Sequence, residues 1–382
     1  MKLILKLLVG IIAGILIGLV GPEFIVRLMI TIKTVFGSFI GFIIPFIILF
    51  FIASGVAGLG QRSGGLVGKT VGVAYLSTFL AGIVAFFVAS IIIPNISSGY
   101  QSIEEGTAAL EPLLNIEFTP LMGVVTALIT AFVFGIGVAK TGSATLKSMF
   151  DEGKKIIDLV ISKIIIPFLP LYIAGIFAEL AYEGTVFETL KVFGVVLVLA
   201  ICTHWLWIII QYITAGSISK RNPFQLLKNM LPAYFTALGT MSSAATIPVT
   251  LRSTKQNRVK EDIANFVVPL SANIHLSGSV ITIVTCTVAV MTLTPELAMP
   301  SFTQMIPFIL MLGVIMVAAP GVPGGAIMAA TGVLMTMFGF NEAAIGLMIA
   351  LYMAQDSFGT ATNVTGDGAI SVIVDQVSEK SK

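Results

Sequence analysis

The stretch that decides the fold is DSFGTATNVTGD, residues 356–367, near the end of a largely apolar chain. Four of its polar residues share one helix face, because they are spaced by four, three and four positions: Asp356, Thr360, Asn363 and Asp367. A carboxylate in membrane hydrocarbon costs several kcal/mol. Two carboxylates on one face therefore indicate a cavity, a protein partner or a bound cation. The alternative is a helix end wetted by lipid headgroups, but another apolar stretch follows at 368–374.

The composition predicts an all-α integral membrane protein. Hydrophobic residues make up 57% of the 382 positions, charged residues make up 10%, and the mean hydropathy is +1.03. The charge-free runs are each long enough for a span of about 20 residues: 34–61, 70–103, 118–139, 192–219, 229–251, 263–295 and 297–341. With a net charge of +2 and no basic block, we expect membrane lipid and no nucleic acid as a partner. Cys202 and Cys286 lie singly and predict neither a disulfide nor a metal site.

The charged residues of the loops predict an orientation. One side carries basic residues at 2–6, 62–69, 140–155, 220–221, 252–260 and 380–382. The other side carries glutamates at 104, 105, 111, 117, 183, 188 and 296. Because cytoplasmic loops are enriched in lysine and arginine, we expect both termini in the cytoplasm.

The chain changes character after residue 220. Before it, six spans are predicted at 3–20, 24–54, 66–95, 118–140, 155–181 and 189–216. After it, the segment 231–249 is interrupted by Pro232, Gly239 and Pro248. The next helix has the polar centre SANIHLSGS at 271–279, and the run 297–341 breaks at AAPGVPGGA, 318–326, before the last helix.

Paired Gly/Pro-interrupted segments are typical of the binding site of a secondary transporter. A broken backbone at membrane depth needs protein or a water-filled cavity to satisfy its polar groups. Each interrupted segment could be a re-entrant hairpin, and the run 297–341 could also form two ordinary spans.

At these motifs the chain resembles the dicarboxylate/amino acid:cation symporter family, which includes glutamate transporter homologues. MSSAATIPVT at 241–250 and APGVPGGAIM at 319–328 resemble the tips of its two hairpins. NVTGD at 363–367 resembles its last-helix signature, and IIPFLPLYIAGIFA at 165–178 resembles its fifth span. The resemblance covers essentially the whole chain.

The resemblance implies eight transmembrane helices plus two re-entrant helical hairpins, arranged as inverted repeats. It also implies a homotrimer with an elevator-type mechanism in the plasma membrane of a bacterial or archaeal cell. Residues 1–220 would be mainly scaffold, with spans 3 and 6 moving with the transport part. Residues 221–376 would be the transport core, and residues 377–382 a cytoplasmic tail.

The family's substrate site lies between the hairpin tips and the seventh and eighth spans. Asp356 stands where the family pairs a carboxylate with the substrate ammonium, and Asn363 and Ser243 stand at positions that bind the α-carboxylate. The substrate-binding residues that the resemblance implies are Ser242, Ser243, Ser279, Val322, Gly325, Asp356, Gly359, Thr360 and Asn363. In the rival interpretation, Asp356 accepts a hydrogen bond from a hairpin backbone and touches no substrate.

The residues around Asp356 bear on the substrate. Family members with acidic substrates carry an arginine three residues after this aspartate, where this chain has Gly359, and Met241 and Ser357 stand where a second arginine would be. An unpaired buried charge costs several kcal/mol, at least about a hundredfold in affinity. We therefore expect a symporter of serine, threonine, alanine or a similar neutral amino acid. The alternative is a Na+-coupled or proton-coupled symporter of an acidic amino acid or dicarboxylate.

The coupled ion implied by the resemblance is Na+, a hard cation that takes oxygen ligands. The implied ligands, several through backbone carbonyls, are Asp367, Asn363, Ser271, His275, Asn273 and Leu276. A third family site has the triplet Asn-Met-Asp where this chain has His275-Leu276-Ser277. The carboxylate is missing, so we expect one or two Na+ ions. His275 either donates a structural hydrogen bond or carries a proton, in which case H+ is coupled.

Two rival classes fit the sequence less well. An intramembrane aspartyl protease needs two carboxylates close enough to share a proton. Asp356 and Asp367 are eleven residues apart on one helix, roughly 16 Å, so we expect no enzymatic activity. A channel is disfavoured because two Gly/Pro-broken tips suit occlusion of a substrate better than an open filter.

Overall fold

The computed structural model describes residues 2–60, 65–97, 110–294, 296–317, 319 and 323–379. The regular structure of these residues is helical, which confirms the all-α prediction. In chain order the helices are α1 (Lys2–Val20), α2 (Glu23–Gly60), α3 (Gly65–Ser97), α4 (Val124–Thr141), α5 (Ala144–Val160), α6 (Ile166–Tyr182), α7 (Val186–Ser219), α8 (Pro223–Thr240), α9 (Ser243–Gln256), α10 (Glu261–Ile274), α11 (Ser277–Leu293), α12 (Phe302–Met316), α13 (Gly325–Phe338) and α14 (Glu342–Glu379).

Several of these helices suit a membrane. Within the described residues, six helical stretches are long and apolar enough to cross one: Glu23–Gly58, Gly65–Asn95, Val124–Thr141, Ala144–Tyr182, Val186–Ser219 and Glu261–Leu293. This agrees with the multi-pass character that the composition predicts.

Two predicted span boundaries were wrong. The fourth span was expected from residue 118, but α4 begins at Val124, because the segment before it is extended and pinned along α2. In that segment the Phe118 backbone N–H donates to Ser38 Oγ at 2.7 Å. The fifth span was expected from residue 155, but α5 begins at Ala144 and continues into α6 through the π-helical turn Ile161–Ile165. The charged residues assigned to a loop thus lie on an amphipathic helix.

The interrupted segments form pairs of short helices. The helices α8 and α9 pack together and are joined at Met241–Ser242. The helices α12 and α13 have 15 and 14 residues, about 22 and 21 Å of helix, which is less than the roughly 30 Å of bilayer hydrocarbon. These lengths favour the hairpin interpretation of 297–341 over two ordinary spans.

The packing separates two sets of helices. In the first, α2 packs against α4, α5 and α6, and α1 packs along α6. In the second, α3 and α7 pack against α11 and α14, and α14 also contacts α8, α9 and α10. The second set surrounds the polar stripe of α14.

The contact between α1 and α6 depends on glycine. A Cβ at Gly14 would overlap the Ala174 carbonyl oxygen, and the neighbouring glycines on this face, Gly10 and Gly18, approach the α6 backbone in the same way. Small residues at this spacing let membrane helices approach closely.

Replacing Gly14 with alanine should therefore destabilise the protein. The new methyl group would push α1 away from α6, at a cost of about 1–3 kcal/mol. The matched control is Gly137→Ala in α4, where a Cβ would meet nothing within 4 Å and alanine gains about 1 kcal/mol of helix propensity. Thermal unfolding of the purified variants should give a lower midpoint for Gly14→Ala and an equal or higher one for Gly137→Ala. Equal midpoints for both variants would contradict the close contact.

Candidate functional site

The segment 261–293 was expected to be one helix with a polar centre, but it is interrupted at His275 and Leu276. Both residues have non-helical backbone angles, with ψ of 90° and 46°. The carbonyl end of α10 and the amide end of α11 therefore meet in the protein interior. A helix carboxyl end carries partial negative charge and a helix amino end partial positive charge.

Three helices in the described part of the chain begin around one cavity of about 50 Å³: α9, α11 and α13. The cavity is lined by Met241, Ser242, Ser243, Ala244, Ala272, Asn273, Leu276, Ser279, Ala319, Ala326, Tyr352, Asp356, Thr360 and Asn363. Its described lining holds one carboxylate and neither lysine nor arginine. Helix amino ends carry partial positive charge and favour anions, whereas the carboxylate favours cations. The cavity therefore suits a small ligand that carries both a negative and a positive group.

Asp356 is the carboxylate of this cavity. Its side chain is 5% exposed, and Oδ2 accepts a hydrogen bond from the Gly324 backbone N–H at 2.8 Å. Gly324 has a φ of 74°, and a Cβ there would lie 2.7 Å from Met353 Sδ, so the turn before α13 needs a glycine. Asp356 therefore makes the hydrogen bond to a hairpin backbone that the rival interpretation expects. The same residue also lines the cavity.

Asn363 caps the start of α11. Its Oδ1 accepts hydrogen bonds from the backbone N–H groups of Gly278 at 2.7 Å and Ser279 at 3.4 Å. Its Nδ2 donates to Ser279 Oγ at 3.0 Å. One carboxamide thus satisfies two helix amides that have no partner in their own helix. Asn363 is held in place by these bonds and still lines the cavity.

Asp367 faces away from this cavity and contacts His275. Nδ1 of His275 lies 3.0 Å from Asp367 Oδ1, and both side chains are buried. On the other side of the ring, Nε2 lies 2.9 Å from Ser77 Oγ and 3.3 Å from Gln211 Nε2. Gln211 Nε2 also donates to Ser77 Oγ at 2.8 Å.

The distances in this network fit one order of hydrogen-bond donation, which is an assignment from the heavy atoms. Gln211 donates to Ser77, Ser77 donates to Nε2 of His275, and Nδ1–H of His275 donates to the Asp367 carboxylate. The second oxygen of Asp367, Oδ2, has no hydrogen-bond partner within the described chain although it is buried. A buried, unpartnered carboxylate oxygen is the donor type that a hard cation takes.

The predicted substrate residues fall into three groups. Ser242, Ser243, Ser279, Thr360 and the residues Asp356 and Asn363 line the cavity together. Gly325 and Gly359 are absent from its described lining. Val322 lies outside the described residues.

Gly359 has a packing role. A Cβ at Gly278 would overlap the Gly359 carbonyl oxygen, so α11 and α14 touch through their backbones at this point. A Cβ at Gly359 would lie 3.4 Å from Thr282 Oγ1, and a side chain at this position would start toward α11.

The predicted ion ligands are split between two places. Ser271 and His275 are buried beside the break, and Ser271 Oγ has no hydrogen-bond partner in the described chain. Asn273 and Leu276 line the cavity of Asp356 instead. Among the described residues, no group of three or more His, Cys, Asp or Glu side chains could hold a metal ion. A cation here would depend on backbone oxygens beside Asp367.

Some site residues were not predicted. Tyr352 lines the cavity and lies four residues before Asp356, so extending the polar stripe by one turn would have found it. Ser77 and Gln211 are polar residues within long apolar helices, a recognised signal of function or buried pairing. His204, with Nε2 3.0 Å from the Gly278 carbonyl oxygen, ties α7 to the start of α11.

Comparisons with known proteins agree with this geometry. A profile of the sodium:dicarboxylate symporter family matches residues 3–377. The chain is 31% identical over 259 residues to the serine/threonine transporter SstT of Acinetobacter baylyi, covering 65% of this chain and 61% of that protein. It is 26% identical over 294 residues to excitatory amino acid transporter 1 of Bos taurus and of Homo sapiens, covering 75% of this chain and 53% of each relative. The chain thus spans about half to three fifths of the length of these relatives.

The pairing of His275 with Asp367 predicts a specific stability pattern. His275→Leu should destabilise the protein by about 3 kcal/mol or more, because it leaves a buried carboxylate without its donor. His275→Gln keeps a donor and should lose less. Adding Asp367→Asn to His275→Leu should recover part of the loss, because the charge is removed. Thermal unfolding in sodium-free buffer measures these differences. Strictly additive effects of the two substitutions would show that the residues are not coupled.

Proposed function

Because this chain belongs to the sodium:dicarboxylate symporter family, we propose that it is a symporter that carries a neutral amino acid across the membrane together with Na+. The family prediction made from the hairpin and last-helix motifs is confirmed by the match over residues 3–377. The observation that carries the proposal is the cavity that Asp356 lines and around which three described helices begin.

The polarity of the cavity complements a zwitterion. An amino acid carries an ammonium group and a carboxylate a few ångströms apart. The Asp356 carboxylate suits the ammonium, and the amino ends of α9 and α11 suit the α-carboxylate. Ser243 and Asn363 also line the cavity and carry hydroxyl and amide hydrogens that a carboxylate can accept. Each end of the substrate then meets opposite charge.

The substrate proposed is serine, threonine, alanine or a similar neutral amino acid. A second carboxylate on the substrate would find no lysine or arginine among the described lining residues. One relative is named as a serine/threonine transporter, which favours this choice. Other relatives are named as excitatory amino acid transporters, so an acidic amino acid or dicarboxylate is the alternative substrate.

The proposed coupled ion is Na+, in one or two copies. Oδ2 of Asp367 would be the charged ligand of one ion, and backbone oxygens at the α10–α11 break would supplement it. A tenfold Na+ gradient supplies about 1.4 kcal/mol, and one charge moving through 100 mV supplies about 2.3 kcal/mol. Together they support roughly several-hundredfold accumulation of a neutral substrate. The alternative is proton coupling through His275.

The moving part would be the transport core, residues 221–376, together with α3 and α7. Hydrogen bonds that join these two helices to the core support this division. Tyr212 donates to the Thr365 carbonyl oxygen at 2.7 Å, and Ser77 and Gln211 contact His275. We propose that this unit moves as an elevator against a scaffold that includes α1, α2 and α4–α6.

The proposed setting is the plasma membrane of a bacterial or archaeal cell. The chain would form a homotrimer with both termini in the cytoplasm, and α8–α9 and α12–α13 would be re-entrant hairpins. The short lengths of α12 and α13 support the last point. A transport role leaves no step for an enzymatic activity.

Substituting Asp356 with asparagine separates its two roles. Asparagine keeps an oxygen that can accept from Gly324 N–H but removes the charge that would pair with the ammonium. Serine or threonine binding, measured by isothermal titration in Na+, should weaken by about a hundredfold or more. The matched control, Asp158→Asn in α5, should bind normally. Unchanged binding by Asp356→Asn would assign Asp356 a purely structural role.

Uptake into proteoliposomes tests the function as a whole. Labelled serine, threonine, alanine and aspartate should enter in a saturable manner when an inward Na+ gradient is imposed, and aspartate should be the weakest substrate. Uptake driven by a pH gradient without Na+ would instead favour proton coupling, and His275→Gln should then abolish it. Ohmic current without saturable uptake would contradict the symporter proposal.

A further inference from the structure

A second cavity, of about 530 Å³, lies where α7 ends and where the α8–α9 hairpin both begins and ends. Three cationic residues line it: Lys220, Arg221 and Arg258. The rest of its described lining is formed by amide side chains and Leu226, without any carboxylate. We call it the basic cavity. It is separate from the substrate cavity, with which it shares no lining residue.

The three cations of the basic cavity form no ion pair with the residues that the structure describes. Arg221 Nη1 donates to the Asn257 carbonyl oxygen at 2.6 Å, which fixes its guanidinium at the wall of the cavity. The Lys220 and Arg258 side chains are exposed. The cavity is therefore a concave surface with a local excess of positive charge.

The backbone gives an independent reason to assign these side chains a role. Lys220 and Arg258 follow the ends of α7 and α9 in the left-handed region, with φ of 55° and 59°. Glycine or asparagine is favoured at such positions, and other residues cost roughly 1–2 kcal/mol. A cation at a helix carboxyl end recovers about 0.3–1 kcal/mol through the helix dipole. This gain in stability accounts for each of the two cations by itself. It does not account for the fact that both line one cavity together with Arg221.

The wall of the basic cavity is held by a chain of amides. Gln225 Nε2 donates to Asn229 Oδ1 at 2.9 Å, and Asn229 Nδ2 donates to Asn257 Oδ1 at 2.8 Å. Asn257 Nδ2 in turn donates to the Leu226 carbonyl oxygen at 3.0 Å. These bonds tie the two ends of the hairpin together. The backbone that carries the cations is thus held in place before a ligand binds, which lowers the entropy cost of binding.

An exposed aromatic residue that is adjacent in sequence to the cavity-lining residue Gln225 indicates the surroundings of the ligand. Phe224 follows Asn222 in the first turn of α8 and is 73% exposed. Aromatic side chains at helix ends are enriched at the boundary between headgroups and hydrocarbon. An exposed phenyl ring three residues after Arg221 in the chain provides an apolar contact for an acyl chain near a binding site for a phosphate.

We propose that the basic cavity binds the phosphate headgroup of an anionic phospholipid. Arg221, Lys220 and Arg258 would contact the phosphate oxygens, and Phe224 would contact the adjoining acyl chain. Basic pockets between membrane helices are a recognised means of holding anionic headgroups. The proposal depends on neither the transported substrate nor the coupled ion. It places a lipid at the base of the hairpin whose tip, at Ser242 and Ser243, lines the substrate cavity.

The test compares two double variants with equal charge loss. Lys220→Asn/Arg258→Asn removes two cations of the cavity and keeps a residue that suits the left-handed backbone. The control, Lys228→Gln/Arg252→Gln, removes two exposed cations of α8 and α9 that do not line the cavity. Phosphatidylglycerol is titrated into each purified full-length protein, and bound lipid is measured by native mass spectrometry. Phosphatidylcholine and soluble glycerol phosphate are titrated in parallel.

The wild type should bind phosphatidylglycerol in preference to both other ligands. Each cation near a headgroup contributes about fivefold in affinity, so the cavity variant should bind roughly thirtyfold more weakly while the control binds normally. If the cavity variant cannot be purified, Arg258→Asn alone should lose about fivefold. Equal loss in cavity variant and control would overturn the proposal. Equal affinity for glycerol phosphate and phosphatidylglycerol would contradict the proposal that the ligand is a lipid. It would identify the cavity as a site for free phosphate esters.

Discussion

The constraint on which the rest of the structure depends is that every open backbone end inside a membrane protein must find a polar partner. Two interrupted segments, the break between α10 and α11 and the turn before α13, have partners on the polar face of α14. Asp356 accepts from the turn before α13, Asn363 caps α11, and Asp367 holds His275 at the end of α10. The polar stripe is therefore both the structural support of the breaks and the source of the site's chemistry.

The same arrangement explains why a small cavity can discriminate between ligands. Helix amino ends and a single carboxylate are fixed partial and full charges, held in place by hydrogen bonds before any ligand arrives. Such a site needs little reorganisation on binding. The charge pattern also sets its limits, because a ligand with a second negative group finds no cation among the described residues that line the cavity.

The polar stripe of α14 could be predicted because helical periodicity is a local property of the sequence. The family could be predicted for the same reason, since each hairpin motif lies within a few consecutive residues. The contact between His275 and Asp367 joins residues 92 positions apart and depends on how whole helices pack, which no spacing reveals. The close approach of the Gly359 backbone to Gly278 likewise joins two helices, and no local pattern reveals it. The late start of α4 follows from bonds that hold the preceding segment along α2.

A single uninterrupted helix, α14, supports two separate breaks through three side chains, and this limits which insertions and deletions the chain can accept. Adding or deleting one residue between positions 356 and 367 would rotate everything beyond it by about 100° and shift it by about 1.5 Å. Asp356 would then remain at its turn while Asp367 faced a different neighbour. We expect this interval to accept substitutions at residues outside the polar stripe but no insertion or deletion. Insertions should be tolerated better in the connecting loops.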